Sequence, residues 1–121
     1  MAKIVSTAIQ GCPPELMGLG PIEASKKALK RADLLIEDID IIEINEAFAS
    51  QCLACIHDLN IDQHKVNIDG GAIALGHPLG ATGSRITAKA AQLLKREKKR
   101  YALSTQCIGL GQGIATILES Y

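Results

Sequence analysis

The pattern of apolar and polar positions alternates along the chain between short β-rich runs and longer stretches with helical periodicity. Three stretches carry apolar side chains three and four residues apart, which is typical of helices with one buried face. The predicted buried faces are Ile22, Ala28, Leu29 and Ala32 in the first stretch, Phe48, Cys52, Cys55, Ile56 and Leu59 in the second, and Ile86, Ala90, Leu93 and Leu94 in the third.

Five short runs rich in apolar and β-branched residues predict strands. They are residues 3–9, 41–44, 66–68, 101–106 and 113–118. Because strands and helices alternate until the last two strands, the order βαβαβαββ predicts an α/β domain with helices packed on a mixed, five-stranded sheet whose strands are mainly parallel. A short glycine turn joins the last two strands, so we expect the final strand to pair antiparallel.

Composition narrows the class of protein. The chain has 121 residues, of which 47% are hydrophobic and 21% charged, as expected for one globular domain and not for a disordered chain. Thirteen basic residues balance 13 acidic ones, so the charge indicates neither a nucleic-acid nor a membrane partner, and a net charge near zero favours self-association. Four cysteines, with no secretory signal and no bilayer-spanning run, indicate reduced thiols in the cytoplasm.

A glycine-rich stretch at residues 70–84 surrounds a single histidine, His77. Its glycines permit positive φ, and Pro78 keeps the preceding histidine out of helical geometry. A helix pattern begins as the stretch ends, where the first amides favour negative charge. On composition alone, a structural turn and a functional loop are equally good interpretations of this stretch. A phosphate-binding loop is a weaker interpretation, because no P-loop lysine follows the glycines.

Asn45, His77 and Cys107 each follow a predicted strand. Loops at the carboxyl ends of parallel strands converge on the ligand crevice of an open α/β sheet, so we expect these three residues to be neighbours. A thiol near an imidazole can be held as a thiolate and can act as a base or a nucleophile. The glycines after Cys107 leave amides free for an oxyanion. Cys107 alone would be interpreted as a small buried hydrophobe, but together the three residues predict a catalytic site.

Other residues with possible chemistry are expected to be structural. Cys52 and Cys55 form a C-x-x-C pair that lies on an apolar helix face and not at a helix N-terminus, so packing is favoured over a redox role. No second ligand pair follows them, so we predict no metal site. His57 and His64 lie off the apolar face or in a loop, and we expect them to be exposed.

Three segments resemble, in order and separation, the C-terminal signatures of the thiolase family. They are residues 45–48, 70–78 and 107–111, and residues 17–22 are similar to a fourth family pattern. The resemblance covers essentially the whole chain, so residues 1–121 are identified as a thiolase C-terminal domain. The family makes or cleaves β-ketoacyl thioesters of coenzyme A, and its fold has two similar βαβαβαββ halves packed together.

The resemblance implies a role for each candidate residue. His77 would activate a nucleophilic cysteine and help bind the thioester oxygen, while Asn45 would hold the water that completes this oxyanion site. Cys107 would be the acid/base that takes a proton from the α-carbon of acetyl-CoA, and the Gly109 amide would serve a second oxyanion hole. The substrate would be an acyl-CoA such as acetoacetyl-CoA, in an acetyl-CoA acetyltransferase reaction with no covalently bound cofactor. Most of the family's coenzyme A pocket lies in the part of the family fold that precedes these residues, and the candidate contact in this sequence is the loop that contains Gly76, Pro78 and Gly80.

Two departures from the family pattern modify this expectation. The acyl-accepting cysteine of the family lies in a Cys-Ser-Ser-Gly-like segment of the other half, and nothing in this sequence matches it. We therefore expect the chain alone to be inactive, and to self-associate or bind a thiolase N-terminal half through an exposed apolar face. The alternative is a non-catalytic interaction module derived from a thiolase. Leu110 stands where the family usually has glycine, and its side chain would disturb the turn if that residue needs a positive φ.

Overall fold

A computed structural model describes residues 2–121, which form four strands and four α-helices. The strands are β1 (Ala2–Gly11), β2 (Ile41–Ile44), β3 (Tyr101–Ile108) and β4 (Gln112–Ser120). The helices are α1 (Gly20–Ala32), α2 (Ala49–Asp58), α3 (Ala72–Leu75) and α4 (Thr82–Glu97). Short 3₁₀ turns lie at Pro14–Leu19, Ile36–Asp38 and Gln63–Lys65. Within residues 2–121, no helix is long and apolar enough to cross a membrane.

The sheet has the strand order β1-β4-β3-β2. β3 and β4 pair antiparallel, as predicted from the short turn between them. β1 also pairs antiparallel with β4, whereas β2 pairs parallel with β3. The sheet is therefore mixed, as predicted, but the prediction that its strands are mainly parallel is wrong, because two of the three strand pairs are antiparallel. The hairpin places β4 beside β3, and β1 takes the free edge of β4 instead of the edge of β2.

The predicted strand at residues 66–68 is also wrong, because this segment makes only an isolated bridge between Val66 and Ile42. Asn67 has a left-handed φ of 45°, which ends the extended backbone. Its side-chain amide takes over the pairing: Oδ1 accepts from Ile44 N at 2.9 Å and Nδ2 donates to Ile44 O at 2.9 Å. A side-chain amide offers the same donor and acceptor as a peptide group. The backbone N–H and C=O of Ile44 at the edge of β2 thus have hydrogen-bond partners without a fifth strand.

The core lies on both faces of the sheet. A larger apolar cluster includes residues of α1 and α2, and a smaller one includes residues of α4. The predicted buried helix faces are confirmed with two exceptions. Ala32, the last residue of α1, is half-buried. Phe48 is 64% exposed because its backbone is extended at the N-cap of α2, which begins at Ala49.

Helix α1 begins where it touches the backbone of β4. A Cβ atom added to Gly20 would lie 2.5 Å from the amide nitrogen of Gly113, which is closer than any real Cβ contact. Pro21 occupies the first turn, as the sequence predicts, where its missing N–H has no cost. The absence of a side chain at Gly20 therefore sets the distance between α1 and the sheet.

Candidate active site

Asn45 lies directly after β2 and is completely buried. Its backbone nitrogen donates to Thr105 O at 3.0 Å, so it continues the parallel pairing of β2 with β3. Its side-chain Nδ2 lies 3.4 Å from His77 Nε2. The structure thus brings Asn45 and His77 together at the carboxyl end of β2, as predicted, although the segment that precedes the His77 loop is not a strand. The Oδ1 atom of Asn45 is buried and has no hydrogen-bond partner within residues 2–121.

The other ring nitrogen of His77 is held by a residue that sequence reasoning missed. His77 Nδ1 lies 2.6 Å from Thr82 Oγ1, and this hydroxyl donates to Pro78 O at 3.1 Å. Because the only hydroxyl proton is used at Pro78, Oγ1 accepts from Nδ1–H, and Nε2 keeps its lone pair. This tautomer is assigned from the hydrogen-bond pattern. Thr82 is fully buried in the first turn of α4, so the helix start orients the imidazole.

The loop around His77 is open to solvent. Residues 76–81 are all exposed, and Leu79 is 87% exposed. A Cβ atom added at Gly76 or Gly80 would meet nothing within 4 Å. The imidazole is therefore fixed at both nitrogens while its surroundings remain accessible. Contact of Gly76, Pro78 and Gly80 with coenzyme A stays a prediction.

Cys107 lies near the end of β3, in register with Gly113, and not in the turn, because the strand continues to Ile108. Burial raises the pKa of its thiol, and so does the neighbouring Cys12. A thiol with a raised pKa stays protonated near neutral pH and is a weaker acid than a free cysteine, so the described residues do not stabilise the thiolate that the sequence predicts. Within residues 2–121, no hydrogen bond joins this thiol to His77, so their cooperation stays a prediction.

The turn after Cys107 combines a free amide with an unusual backbone. The Gly109 amide donates to no acceptor within residues 2–121, while its carbonyl accepts from Gln112 Nε2 at 2.9 Å. Leu110 has a φ of 67° and is 94% exposed. This residue therefore does adopt the left-handed conformation that disfavours a side chain. Gly111 also has a positive φ of 75°, and an added Cβ would lie 2.8 Å from Cys12 O.

The remaining cysteines and histidines are arranged as expected for structural residues. Cys52 and Cys55 are buried in the larger core cluster, and burial raises the pKa of each thiol to about 11. They are therefore not reactive thiolates at neutral pH. His57 and His64 are exposed, as predicted. No group of three or more His, Cys, Asp or Glu side chains is placed to hold a metal ion in the described chain from Ala2 onward.

A second residue that sequence reasoning missed, Glu46, links β2 to the glycine loop. Its Oε1 accepts from Asn67 Nδ2 at 2.8 Å and its Oε2 accepts from Ile73 N at 3.0 Å. A Cβ atom added to Gly71 would lie 2.5 Å from Oε1. In the sequence, the only sign of this contact is the pair of neighbouring glycines, Gly70 and Gly71, before α3. The two glycines do not reveal that Glu46 is the group that approaches them.

Glu43, in the middle of β2, has a different environment. Its side chain is 1% exposed, and neither carboxylate oxygen has a hydrogen-bond partner in the described part of the chain. Burial raises the pKa of Glu43 to about 7, against the opposing effect of Lys89 and Arg85 on α4. The fold therefore contains a carboxyl group whose ionisation is costly at neutral pH.

Comparison with known proteins identifies the family. The family model of the thiolase C-terminal domain matches residues 1–120. The chain therefore belongs to the thiolase C-terminal domain family. It is 55% identical over 121 residues to a 3-ketoacyl-CoA thiolase of Vibrio vulnificus, covering 98% of this chain and 31% of the relative. It is 56% identical over 122 residues to a 3-ketoacyl-CoA thiolase of Serratia proteamaculans, with the same coverage.

Solved structures show the same likeness. The structure superposes on human mitochondrial 3-ketoacyl-CoA thiolase with a TM-score of 0.97 and 52% identity, over 99% of this chain and 30% of that chain. A structure of the human protein in complex with CoA matches equally well. The thiolase-like fold predicted from the sequence motifs is thus confirmed, with four strands in the sheet instead of five. The chain spans about three tenths of the length of these relatives.

Proposed function

We propose that this chain contributes the acid–base half of an acyl-transfer site that makes or cleaves 3-ketoacyl thioesters of coenzyme A. The observation that carries the proposal is the hydrogen-bonded arrangement of Asn45, His77 and Thr82 at the carboxyl end of β2. The contact between Asn45 and His77 supports the roles that the thiolase signatures imply for these two residues, whereas Thr82 lies outside the signatures. The 3-ketoacyl-CoA thiolases that the chain resembles support the substrate class.

In the synthetic direction, Cys107 acts as the base. Its thiolate takes a proton from the α-carbon of acetyl-CoA, and the resulting carbanion attacks the carbonyl carbon of an acyl group held on a second cysteine. A carbon–carbon bond forms, the carbon–sulfur bond to that cysteine breaks, and the sulfur leaves as a thiolate. The raised pKa of Cys107 lowers the thiolate population but makes that thiolate a stronger base. In the reverse direction, the protonated thiol returns the proton to carbon.

Negative charge develops on the carbonyl oxygens in these steps, and two groups of donors would stabilise it. A water bound to the free Oδ1 of Asn45 has a second hydrogen to offer one oxygen, beside the His77 ring. The lone pair of His77 Nε2 accepts only a long contact of 3.4 Å from Asn45 Nδ2. In the assembled site it takes a proton from the nucleophilic cysteine and then donates it as an N–H. The unpartnered Gly109 amide serves the second oxygen.

The nucleophilic cysteine comes from another domain in this proposal. Cys52 and Cys55 are buried and resist ionisation, so neither fits the acyl-accepting role. Large apolar side chains near the site are exposed, as expected for a surface that a second domain covers. They include Ile73, Leu75, Leu79 and Leu110. The partner we propose is a thiolase N-terminal half, with self-association as the alternative, and the chain alone should not turn over.

The experiment is thiolysis of acetoacetyl-CoA by free CoA, measured with the chain alone and after addition of a thiolase N-terminal half. We expect turnover only in the mixture, lost with Cys107→Ala or His77→Ala and retained with His57→Ala, since His57 is exposed in the last turn of α2 and contacts Asp58. Turnover by the chain alone contradicts the need for a second nucleophile. A folded mixture that remains inactive favours the non-catalytic interaction module.

A further inference from the structure

We propose that Glu46 is a positioning residue, which fixes the loop carrying His77 against Asn45. Its importance for catalysis rests on the proposed function, whereas its effect on the loop does not. Glu46 follows Asn45 directly in the chain, so a restraint on its side chain also acts on the turn that carries the buried amide.

Two contacts of the Glu46 carboxylate reach two separate parts of the chain. One oxygen accepts from Asn67 Nδ2 at 2.8 Å, and Asn67 is itself only 8% exposed and bonded to the end of β2. The other oxygen accepts from Ile73 N at 3.0 Å, in the first turn of α3. Hydrogen bonds to an ionised acceptor are about twice as strong as neutral ones. One side chain thus joins β2, the segment before the glycine loop and the start of α3.

The path from Ile73 to His77 is short. Helix α3 has four residues and ends at Leu75, and the amide of the following Gly76 donates to Ala72 O at 2.7 Å. His77 is the next residue. Ala72 is the one buried side chain of α3, while Ile73 and Leu75 are 68% and 65% exposed. Because little apolar packing holds α3 in the described chain, the carboxylate contact is a principal restraint on its position.

Gly71 provides a separate sign that this place is built for a carboxylate. Its φ is −124°, which any residue adopts, so conformational freedom does not explain a glycine here. A Cβ atom would instead lie 2.5 Å from either Glu46 oxygen. Glycine allows the close approach of another group to the backbone, and the group that approaches is the carboxylate of Glu46.

A carboxylate suits this position better than a neutral amide. Asn67 Nδ2 and Ile73 N are both donors, and only a carboxylate offers two acceptor oxygens to them. A glutamine would leave one donor facing its own NH₂ group. We therefore expect Glu46→Gln, which has nearly the same shape, to break one of the two contacts.

The first test uses the chain alone and two variants that break the same contact from opposite sides, Glu46→Gln and Gly71→Ala. We expect about tenfold faster amide hydrogen exchange at Ile73, as for loss of one hydrogen bond, and altered ¹⁵N signals of the His77 ring. The signals of His57 and His64 should not change. The controls are Glu37→Ala, at an exposed residue, and Gly11→Ala, where an added Cβ has its nearest atom at 3.9 Å.

The second test measures thiolysis after addition of a thiolase N-terminal half. We expect both variants to lower kcat about 100-fold at unchanged KM, the effect of misplacing a catalytic group by about 1 Å. Unchanged Ile73 exchange and unchanged His77 signals in both Glu46→Gln and Gly71→Ala overturn the positioning role, whatever the activity. Changed signals with an inactive wild-type mixture refute the proposed function alone. Changed signals with unchanged kcat overturn the catalytic importance of Glu46.

Discussion

Glu43 and Glu46 lie three residues apart at the end of β2, and their carboxyl groups have opposite surroundings. Both oxygens of Glu46 accept hydrogen bonds, from Asn67 and Ile73. Neither oxygen of Glu43 has a partner within the described residues, and burial raises its pKa to about 7. A buried polar group stabilises a fold only where its hydrogen bonds are made, and otherwise costs free energy. The two residues therefore contribute to stability with opposite signs at neutral pH.

The largest expected effect is the pH dependence that Glu43 imposes on the free energy of unfolding. Its pKa is 4.5 in the reference state and about 7 in the fold, so the folded state binds more protons between these values. Stability should therefore fall as pH rises from about 4.5 to 7, by about 3 kcal/mol in total.

Urea denaturation at a series of pH values measures this slope. The matched variant is Glu43→Gln, which cannot ionise and should lack the Glu43 part of the slope. Identical pH profiles of the wild type and the variant would show that Glu43 does not titrate in this range.

The next effect is at Glu46, where the same substitution has the opposite outcome. Glu46→Gln should lower the free energy of unfolding at pH 7 by about 2 kcal/mol, because one donor loses its acceptor in a partly buried site. At this pH, Glu43→Gln should raise it, since a costly charge is removed from the core. Urea denaturation of both variants under one condition tests the contrast, and equal signs would contradict it.

A related contrast separates the neighbours Leu110 and Gly111, which both have a positive φ. Leucine is strained in this conformation and glycine is not, so Leu110→Gly should stabilise the fold by about 0.5–1 kcal/mol. The exposed leucine side chain loses little contact. Thermal unfolding measures the gain, and a lower Tm would show that the leucine side chain stabilises the turn.

The smallest effect is expected at Lys89, the cation with the largest influence on Glu43. Lys89→Met should move the titration of Glu43 to higher pH, because an opposing positive charge is lost. Lys89 also pairs with Asp69 at 2.5 Å, a partly exposed ion pair that is worth about 0.5 kcal/mol. NMR titration of the Glu43 carboxyl checks the direction, and a shift to lower pH would contradict it.

Much of the fold follows from the sequence because its signals are local. The helix faces of α1 and α4 and the strand at residues 41–44 depend on periodicity and caps, and the structure confirms them. The position of β1 beside β4 depends on long-range pairing, which no local pattern encodes. The segment at residues 66–68 has the composition of a strand, but a left-handed Asn67 ends it.

In the candidate site, too, features that depend on local sequence could be predicted and features that depend on long-range contacts could not. The prediction that Asn45 and His77 are neighbours is confirmed. Its basis was right for Asn45, which follows β2, and wrong for His77, because the segment before its loop makes one bridge and is not a strand. Thr82 and Glu46 could not be predicted, because each acts through a contact with a residue whose distance depends on the folded loop. A threonine at a helix start and a glutamate after a strand have common structural roles, so residue type alone gave no reason to select them.

The most direct test of the acid–base half is deuterium exchange into the α-carbon of acetyl-CoA in D₂O. The assay combines this chain with a thiolase N-terminal half whose nucleophilic cysteine is replaced by alanine, so that proton transfer occurs without condensation. We predict exchange that is lost in Cys107→Ala and retained in His57→Ala. Exchange that persists in Cys107→Ala, or its absence with the wild-type chain in an assembled complex, would contradict the assignment of Cys107 as the base.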